Sequence, residues 1–326
     1  MTADLIDRAK SGDGDAFREL VAPHEAALRL HCYRMLGSLS DAEDVLQEIL
    51  LAAWQGLAGF EGRSTVGTWL YRVATTRCLN ALRSRARRSP AAIPPGVSPP
   101  APTRLGEVTW LEPYPDALLA GLPDTAPGPE ATVQAREAIS LAFITAIQLL
   151  PPHQRAVLLL RDVLGFPARE AAGVLGVTEE SVTSALKRAR AALRAGPSGL
   201  PPRAAAPPAG TAAEQALAER LTAAYDRGDV AAIIALFSDD AWLRMPPVPL
   251  EYQGRDLIGQ FLAAVAFRDG RTYRLSFTRA NGQLAFESWL PGAASPNDLV
   301  VLTLSGAQVS AMTRFPPRPL RGPAGV

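Results

Sequence analysis

Small, polar and basic side chains recur along the segment TEESVTSALKRARAALR in a pattern that suits contact with DNA. On a helical wheel the apolar side chains share one face, which contains Val182, Ala185, Leu186, Ala189 and Leu193. The candidate DNA contacts are Thr178, Glu180, Ser181, Thr183, Ser184, Lys187 and Arg188. Small and polar groups near the start of a helix can approach base edges in the major groove. The basic groups that follow, including Arg190 and Arg194, suit phosphates.

The elements that would position these groups form a helix-turn-helix pattern. A short helix from Ala168 to Leu175 is predicted to end at Gly176, because glycine readily adopts the left-handed conformation that closes a helix. Thr178 is a good N-cap for a second helix that reaches about Arg194. Helix, short turn with glycine and helix is typical of DNA-binding domains. A plain amphipathic hairpin with a solvated basic face would give the same pattern.

A second candidate nucleic-acid surface lies on a helix predicted from Thr68 onward. Trp69, Thr76, Asn80 and Arg83 fall on one side of it, at spacings of seven, four and three residues. An aromatic ring among polar and basic groups can stack on unpaired bases, and the basic run RSRARR that follows suits phosphate. The alternative is that Trp69 belongs to the core and the arginines are solvated.

Composition argues against several other kinds of site. Cys32 and Cys78 are the only cysteines, and the three histidines are scattered, so neither a metal site nor a bound cofactor is expected. The net charge of +1 requires any nucleic-acid surface to arise from local charge segregation. The sequence shows no signal peptide and no apolar run of about 18 residues. We therefore expect a cytoplasmic protein with reduced thiols that does not engage membranes.

Proline-rich segments divide the chain into three parts. Eleven prolines fall between Pro90 and Pro129, and a density this high leaves the chain extended. With a second break, the predicted boundaries are a head (1–89), a linker (90–129), a middle (130–195), a linker (196–210) and a tail (211–326).

The three parts differ in their predicted secondary structure. The head and middle have helical periodicity, as in the stripe Val45, Ile49, Ala53 and Leu57, with Ser40 or Asp41 as a possible cap. The tail begins with helices and continues with alternating segments and turns such as Asn281-Gly282. The fold class is therefore two all-α domains, the second with a helix-turn-helix, followed by an α+β domain with a curved antiparallel sheet.

Three motifs in order resemble bacterial sigma factors of the extracytoplasmic-function (ECF) type. DAEDVLQEILLAAW resembles that family's polymerase-binding helix, and FEGRSTVGTWLYRVATTRCLNALRSRARR resembles the stretch that melts and reads the promoter −10 element. LPPHQRAVLLLRDVLGFPAREAAGVLGVTEESVTSALKRARAALR resembles the region that reads the −35 element. The resemblance implies a subunit that binds core RNA polymerase and directs promoter-specific initiation, and no enzymatic activity.

The same resemblance assigns roles to individual residues. Those implied to face the clamp helices of the β and β′ polymerase subunits are Asp41, Glu43, Asp44, Gln47 and Glu48. The loop implied to hold a flipped-out −10 base, beside Asn80, contains Glu61, Gly62, Arg63, Ser64 and Thr65. Trp69, Thr76 and Arg83 would contact the opened non-template strand, and Glu180, Ser184, Lys187 and Arg188 would contact the −35 element. One departure is the long linker, where Trp110, Leu111, Tyr114 and Leu118 can dock or pack locally.

The tail resembles the SnoaL-like, NTF2-like α+β domains that some ECF sigma factors carry. Candidate pocket residues are Tyr225, Asp240, Trp242, Arg244, Phe261, Arg279 and Trp289. The tail has no histidine, so a His–Asp dyad is absent, and we expect a regulatory domain that can take a small ligand. Two alternatives remain open: an enzyme or ligand sensor of the SnoaL-like class with a DNA-binding head, and a one-component repressor.

Overall fold

The head consists of four helices in the computed structural model, which describes residues 2–85, 93, 97–107, 110–119, 138–195 and 206–316. The helices are α1 (Thr2–Lys10), α2 (Gly14–Leu36), α3 (Leu39–Gly56) and α4 (Val66–Arg85). Gly37 closes α2 with φ +72°. The predicted cap of α3 is wrong: the hydroxyl of Ser38, rather than Ser40 or Asp41, accepts the N–H of Asp41 at 3.2 Å. The helix therefore starts earlier, directly after the turn at Gly37.

The head core forms where α2, α3 and α4 pack together. The predicted stripe of Val45, Ile49, Ala53 and Leu57 is buried, as its four-residue spacing requires. Cys32 and Cys78 are free thiols with no exposed surface. These contacts anchor α3 and α4 and leave their outer faces to solvent.

The described residues of the middle form four further α-helices. They are α5 (Leu141–Gln148), α6 (Pro152–Leu158), α7 (Ala168–Leu175) and α8 (Glu179–Ala195), with a π-helical turn at Leu159–Val163 after α6. As predicted, Gly176 closes α7 with φ +67°. The hydroxyl of Thr178 accepts the N–H of Ser181 at 3.2 Å and so caps α8. The helix-turn-helix predicted from the sequence is present.

The tail is a sheet with helices packed on it. Its helices are α9 (Ala212–Arg227), α10 (Val230–Ile234) and α11 (Arg255–Phe261). Its strands are β2 (Phe237–Met245), β3 (Val248–Gln253), β4 (Arg274–Ala280), β5 (Gln283–Trp289), β6 (Asp298–Ser305) and β7 (Gln308–Phe315). Asn281 and Gly282, both with positive φ, form the predicted two-residue turn between β4 and β5.

The sheet differs from the prediction in two ways: one pair of strands is parallel, and two strands were not predicted. Its order is β1-β3-β2-β7-β6-β5-β4, and β2 pairs with β7 in parallel, so it is not purely antiparallel. The sequence reading missed β3, which follows two prolines, and β1 (Arg104–Leu105), which lies in the proline-rich linker. Proline is tolerated at strand ends and sheet edges, so local composition hid both strands.

The described residues form two units, each with its own core. One contains residues up to 85 together with 114–195, and the other contains 93–113 together with 206–316. Much of both predicted linkers, and the basic run beyond Arg85, lie outside the described residues. Of the linker residues singled out, Tyr114 is buried against Tyr33 of α2, with ring centroids 4.8 Å apart. Within the described ranges, no helix has the length and apolar character needed to cross a bilayer.

Candidate nucleic-acid and protein interfaces

The outer face of α3 carries an acidic surface. Glu43, Asp44, Gln47 and Glu48 are exposed, and Asp41 is half-buried in the first turn. Leu51 continues this face, four residues after Gln47 and three after Glu48, and 58% of it is exposed. The sequence reading missed Leu51, although its position outside the buried four-residue stripe was a usable signal. The surface thus combines negative charge with an exposed apolar side chain.

The loop before α4 is open to solvent, and its Arg63 and Glu61 form an exposed ion pair. All five predicted residues, Glu61 to Thr65, are exposed, and Gly62 has φ +71°, a conformation that L side chains rarely adopt. The hydroxyl of Thr65 accepts the N–H of Thr68 at 3.1 Å and so fixes the start of α4.

The predicted face of α4 is mostly open. Thr76, Asn80 and Arg83 are exposed, and Nη1 of Arg83 donates to Oδ1 of Asn80 at 3.0 Å. Trp69 is half-buried, with its ring centroid 5.2 Å from that of Phe60. Because Phe60 holds the indole, Trp69 is partly a packing residue, and only part of its ring is available for stacking.

The outer face of α8 carries all of the predicted contacts. Thr178, Glu180, Ser181, Thr183, Ser184, Lys187 and Arg188 are exposed, whereas Val182, Ala185, Leu186 and Ala189 are buried. A hydrogen bond from its own backbone N–H, and a second from the Thr178 hydroxyl, lower the pKa of the Glu180 carboxyl, which therefore stays ionised. An ionised carboxylate accepts hydrogen bonds and so suits the amino group of cytosine.

Arg190 differs from the phosphate contact that the sequence suggested. Its guanidinium forms a two-point ion pair with Asp162, at 2.9 Å from Nε and 2.7 Å from Nη2. Asp162 lies in the π-helical turn after α6, so the pair connects α8 to the rest of the middle. Arg190 therefore positions the recognition helix, while Lys187, Arg188 and Arg194 are further exposed cations of this segment.

The predicted tail residues do not converge on one pocket. Asp240 on β2 is half-buried and accepts a hydrogen bond from Ser238 at 2.8 Å. Arg279 lies on β4 and forms an ion pair with Glu214 of α9 at 3.1 Å. Three strands, β7, β6 and β5, separate β2 from β4. Tyr225 and Phe261 are core residues, fully or almost fully buried. Asp240 and Arg279 thus have different partners on different strands, and the two aromatic residues belong to the tail core.

The remaining three predicted tail residues lie at two places. Trp242 is buried, with the guanidinium carbons of Arg104 and Arg244 at 4.4 and 5.2 Å from its ring centroid. Trp289 lines a cavity of about 360 Å³ with Asp226, Thr272 and Arg274. This cavity contains none of the other predicted pocket residues.

The sequence reading also missed a buried ion pair in the tail. Nε of Arg314 donates to Oδ2 of Asp298 at 2.5 Å, and the Ser288 hydroxyl donates to the same carboxylate. Burial lowers the pKa of Arg314, but the Asp298 carboxylate outweighs it and the net shift is upward. The sequence contained a signal for this pair. Side chains alternate between the two faces of a strand, so Asp298 lies on the same face of β6 as the buried Val300 and Leu302. The pair is structural, and among the described residues no cluster of three or more His, Cys, Asp or Glu could hold a metal.

Comparison with known proteins gives two family matches. Residues 20–88 match the model described as Sigma-70 region 2, and residues 140–193 match Sigma-70, region 4. The first match contains the α3 surface, the loop and α4, and the second contains the helix-turn-helix. The two matches thus cover the head and middle surfaces described above.

Relatives from Mycobacterium tuberculosis match along most of their length. ECF RNA polymerase sigma factor SigG is 39% identical over 316 residues, which cover 94% of this chain and 82% of the relative. ECF RNA polymerase sigma factor SigJ is 30% identical over 311 residues, which cover 88% of each. The crystal structure of SigJ aligns with 90% of this chain and 95% of its own, with a TM-score of 0.59 and 24% identity. The predicted order of helical domains followed by a mixed α/β sheet domain is confirmed.

Proposed function

The chain belongs to the ECF RNA polymerase sigma factors, and from this membership we propose which of its surfaces meets each partner. Sigma factors bind core RNA polymerase and promoter DNA, and they direct promoter-specific transcription initiation. The protein is accordingly an initiation factor and not an enzyme. Membership also favours initiation over the repressor alternative, because a repressor needs only the helix-turn-helix.

The α3 surface is proposed to bind the clamp helices of the β and β′ subunits. Its exposed carboxylates, Glu43, Asp44 and Glu48, form one acidic stripe next to Gln47. Charge on the rim of an interface mainly steers association, whereas a desolvated apolar group adds affinity. Leu51 is therefore proposed as the apolar contact of this interface.

The loop and α4 are proposed to open and read the −10 element. Residues Glu61 to Thr65 would receive a flipped base, and Asn80 would contact its exposed edge. Thr76 and Arg83 would follow the single strand, and the open part of the Trp69 ring would stack on a base. The exposure of the loop and of Asn80 supports this assignment.

The α8 face is proposed to read the −35 element in the major groove. Glu180 and Ser184 would reach base edges, and Lys187 and Arg188 would contact bases or phosphates. Thr178, Ser181 and Thr183, near the start of the helix, complete the surface. The single observation that carries the proposal is that every predicted polar contact on α8 is exposed while the opposite face is buried.

The tail is proposed to be a regulatory domain that acts on the linker between the two DNA-reading parts. The predicted domain boundaries at 89, 129, 195 and 210 are kept as proposals, with one refinement. Residues 100–106 of the linker belong to the tail sheet, because Thr103 N–H donates to the Glu251 carbonyl at 2.9 Å and Gly106 N–H to the Pro249 carbonyl at 2.7 Å. A small ligand of the tail, the sensor alternative, would occupy the cavity beside Trp289 and Arg274. It would regulate only if its affinity differed between two states of the protein.

The test is transcription in vitro with bacterial core polymerase and a library of promoter templates. We expect discrete initiation that requires the protein. Asn80→Ala should abolish open-complex formation, and Lys187→Ala should weaken promoter binding about tenfold, equivalent to about 1.4 kcal/mol. Arg220→Ala is the control, because Arg220 is an exposed cation of the tail outside every proposed surface. Full activity of Asn80→Ala would contradict the −10 assignment.

A further inference from the structure

Residues Glu61 to Thr65, which we call the −10 loop, begin directly after a buried residue that three contacts hold in place. Phe60 is 7% exposed, and its ring centroid lies 5.2 Å from that of Trp69. Its N–H donates to the Leu57 carbonyl at 3.0 Å. Its carbonyl accepts a hydrogen bond from Nζ of Lys10 at 2.6 Å. The start of the −10 loop is therefore fixed through the ring, the N–H and the carbonyl of one residue.

Lys10 reaches this point from α1, a helix outside the segment that resembles the −10 reader. The match to Sigma-70 region 2 covers residues 20–88, so Lys10 also precedes the matched residues. α1 contacts the 3₁₀ turn Leu57–Gly59, which leads into Phe60. The hydrogen bond between Lys10 and Phe60 spans 50 positions of the sequence, so only the packed chain reveals it.

The turn between α1 and α2 sets the place of Lys10. Asp13 accepts the N–H groups of Asp15 and Ala16, both at 3.0 Å, and so caps α2. Its carboxylate also accepts a hydrogen bond from Nη2 of Arg8 in α1 at 2.7 Å. One side chain thus joins the last turn of α1 to the start of α2. Because Lys10 is the last residue of α1, this junction keeps its ammonium group within reach of the loop.

The far end of the −10 loop is fixed as well. The Thr65 hydroxyl accepts the N–H of Thr68 at 3.1 Å, and the Thr65 carbonyl accepts the N–H of Trp69 at 3.0 Å. A Cβ atom built on Gly67 would lie 3.2 Å from Cε1 of His24, so α2 approaches closely here. Residues 61–64 therefore lie between two fixed ends, which restricts the backbone conformations that they can adopt.

We propose that Lys10 is a positioning residue of the −10 loop, which it keeps in the arrangement that receives a flipped base. The inference rests on the proposed assignment of this loop and Asn80 to the −10 element. A loop that is ordered before it binds loses less conformational entropy on binding. The ammonium group suits this role, because a hydrogen bond from a charged donor is stronger than one between neutral groups. Without it, the Phe60 carbonyl would bond to water and the loop would sample other arrangements.

Loss of this contact should slow promoter opening and leave the preceding binding steps unchanged. The surfaces proposed for core polymerase and for the −35 element lie on α3 and α8, not on the loop. Capture of a flipped base belongs to the opening step. The rate constant of opening is therefore the quantity that a displaced loop should lower.

The test uses the full-length protein with core polymerase and a promoter selected from the template library. Lys10→Met keeps an unbranched apolar side chain but removes the donor. We expect it to lower the rate constant of opening about five- to tenfold, measured by the permanganate reactivity of unpaired thymines. Lys10→Arg, which restores a charged donor, should recover most of the rate.

Two measurements separate positioning from a loss of stability. The affinity of Lys10→Met for core polymerase should equal that of the native protein, which shows that the head is folded. A variant that was merely less stable would open a smaller fraction of the promoters, but with the native rate constant. That result would overturn the inference.

Arg18→Met is the matched control. Arg18 is an exposed cation of α2 that pairs with Asp15. Its loss removes one positive charge from the head and leaves the bond between Lys10 and Phe60 in place, so the opening rate should stay native. Equal slowing in Lys10→Met and Arg18→Met would show an effect of charge alone and would contradict the positioning role.

Asn80→Ala, assayed in parallel, separates this inference from the proposed function. If opening requires Asn80 but proceeds at the native rate in Lys10→Met, the −10 assignment stands and the positioning role fails. If opening does not require Asn80, the −10 assignment fails and the inference fails with it.

Discussion

At the residue scale, hydrogen bonds to other side chains hold two of the exposed polar groups on the DNA-reading helices. Arg83 orients the Asn80 amide, and Asp162 engages Arg190. Holding a side chain before it binds reduces the entropy lost on binding. Asn80 is therefore presented to the opened strand in a defined orientation.

Among the buried polar residues, His31 predicts a pH dependence. It is 1% exposed, and its Nε2 lies 3.1 Å from the Thr75 hydroxyl. Burial, with a contribution from Arg34, lowers its pKa to about 3. The unfolded chain then binds the proton between pH 6.5 and 3 while the folded chain does not, so stability falls as the pH drops below 6.5.

We expect the free energy of unfolding to fall by about 2 kcal/mol from His31 alone between pH 7 and pH 5. Urea unfolding at both pH values would measure it. His31→Gln keeps a hydrogen-bonding group but does not titrate. The free energy of unfolding of this variant should therefore fall by about 2 kcal/mol less than that of the native protein between pH 7 and pH 5. Equal losses in both proteins would show that His31 does not remain neutral when folded.

At the element scale, helix ends decide where the DNA-reading side chains lie. Gly176, in the left-handed conformation, sets the angle between α7 and α8, and Thr178 starts α8. Nothing lies within 4 Å of a Cβ atom built on Gly176, so only the backbone conformation requires glycine there.

Two glycines of the helix-turn-helix should therefore respond in opposite directions. Gly176→Ala should destabilise the head–middle unit by about 1 kcal/mol, because a side chain disfavours positive φ. Gly173→Ala, inside α7 and equally free of steric neighbours, should stabilise it by about 0.5–1 kcal/mol. Denaturant unfolding of both variants would check the signs, and the same sign for both would refute the explanation.

At the scale of the whole molecule, the linker takes part in folding. Arg104 pairs with Glu251 at 2.8 Å and lies over Trp242, while the Tyr252 hydroxyl donates to the Pro100 carbonyl at 3.0 Å. Residues 100–106 belong to the linker that connects the head to the middle. Because the tail sheet binds them, fewer linker residues are free to extend.

We expect Arg104→Ala to loosen β1. Loss of a partly exposed ion pair and of the contact with Trp242 costs about 1 kcal/mol together, so the amides of Thr103 and Gly106 should exchange hydrogen about five- to tenfold faster. Hydrogen exchange with mass spectrometry measures this. Arg274→Ala, which removes a cation over the other tail tryptophan, is the matched control and should leave both amides unchanged. If the Thr103 and Gly106 amides of Arg104→Ala exchanged as slowly as in the native protein, backbone pairing alone would hold the strand.

The sequence by itself determined the helices of the head and middle, the helix-turn-helix and the surface of α8. These depend on local periodicity and capping, which a few neighbouring residues encode. The resemblance in three ordered motifs also led to the correct family.

Tertiary structure alone decided the rest. β1 exists because it pairs with β3 across about 150 residues, and Asp162 and Lys10 receive their roles from partners distant in sequence. The predicted pocket residues of the tail lie apart because of the order of the strands in the sheet. The alternation of polar and apolar residues along a strand does not reveal that order. Local patterns specify which face of an element is apolar, but only the packed chain specifies what that face meets.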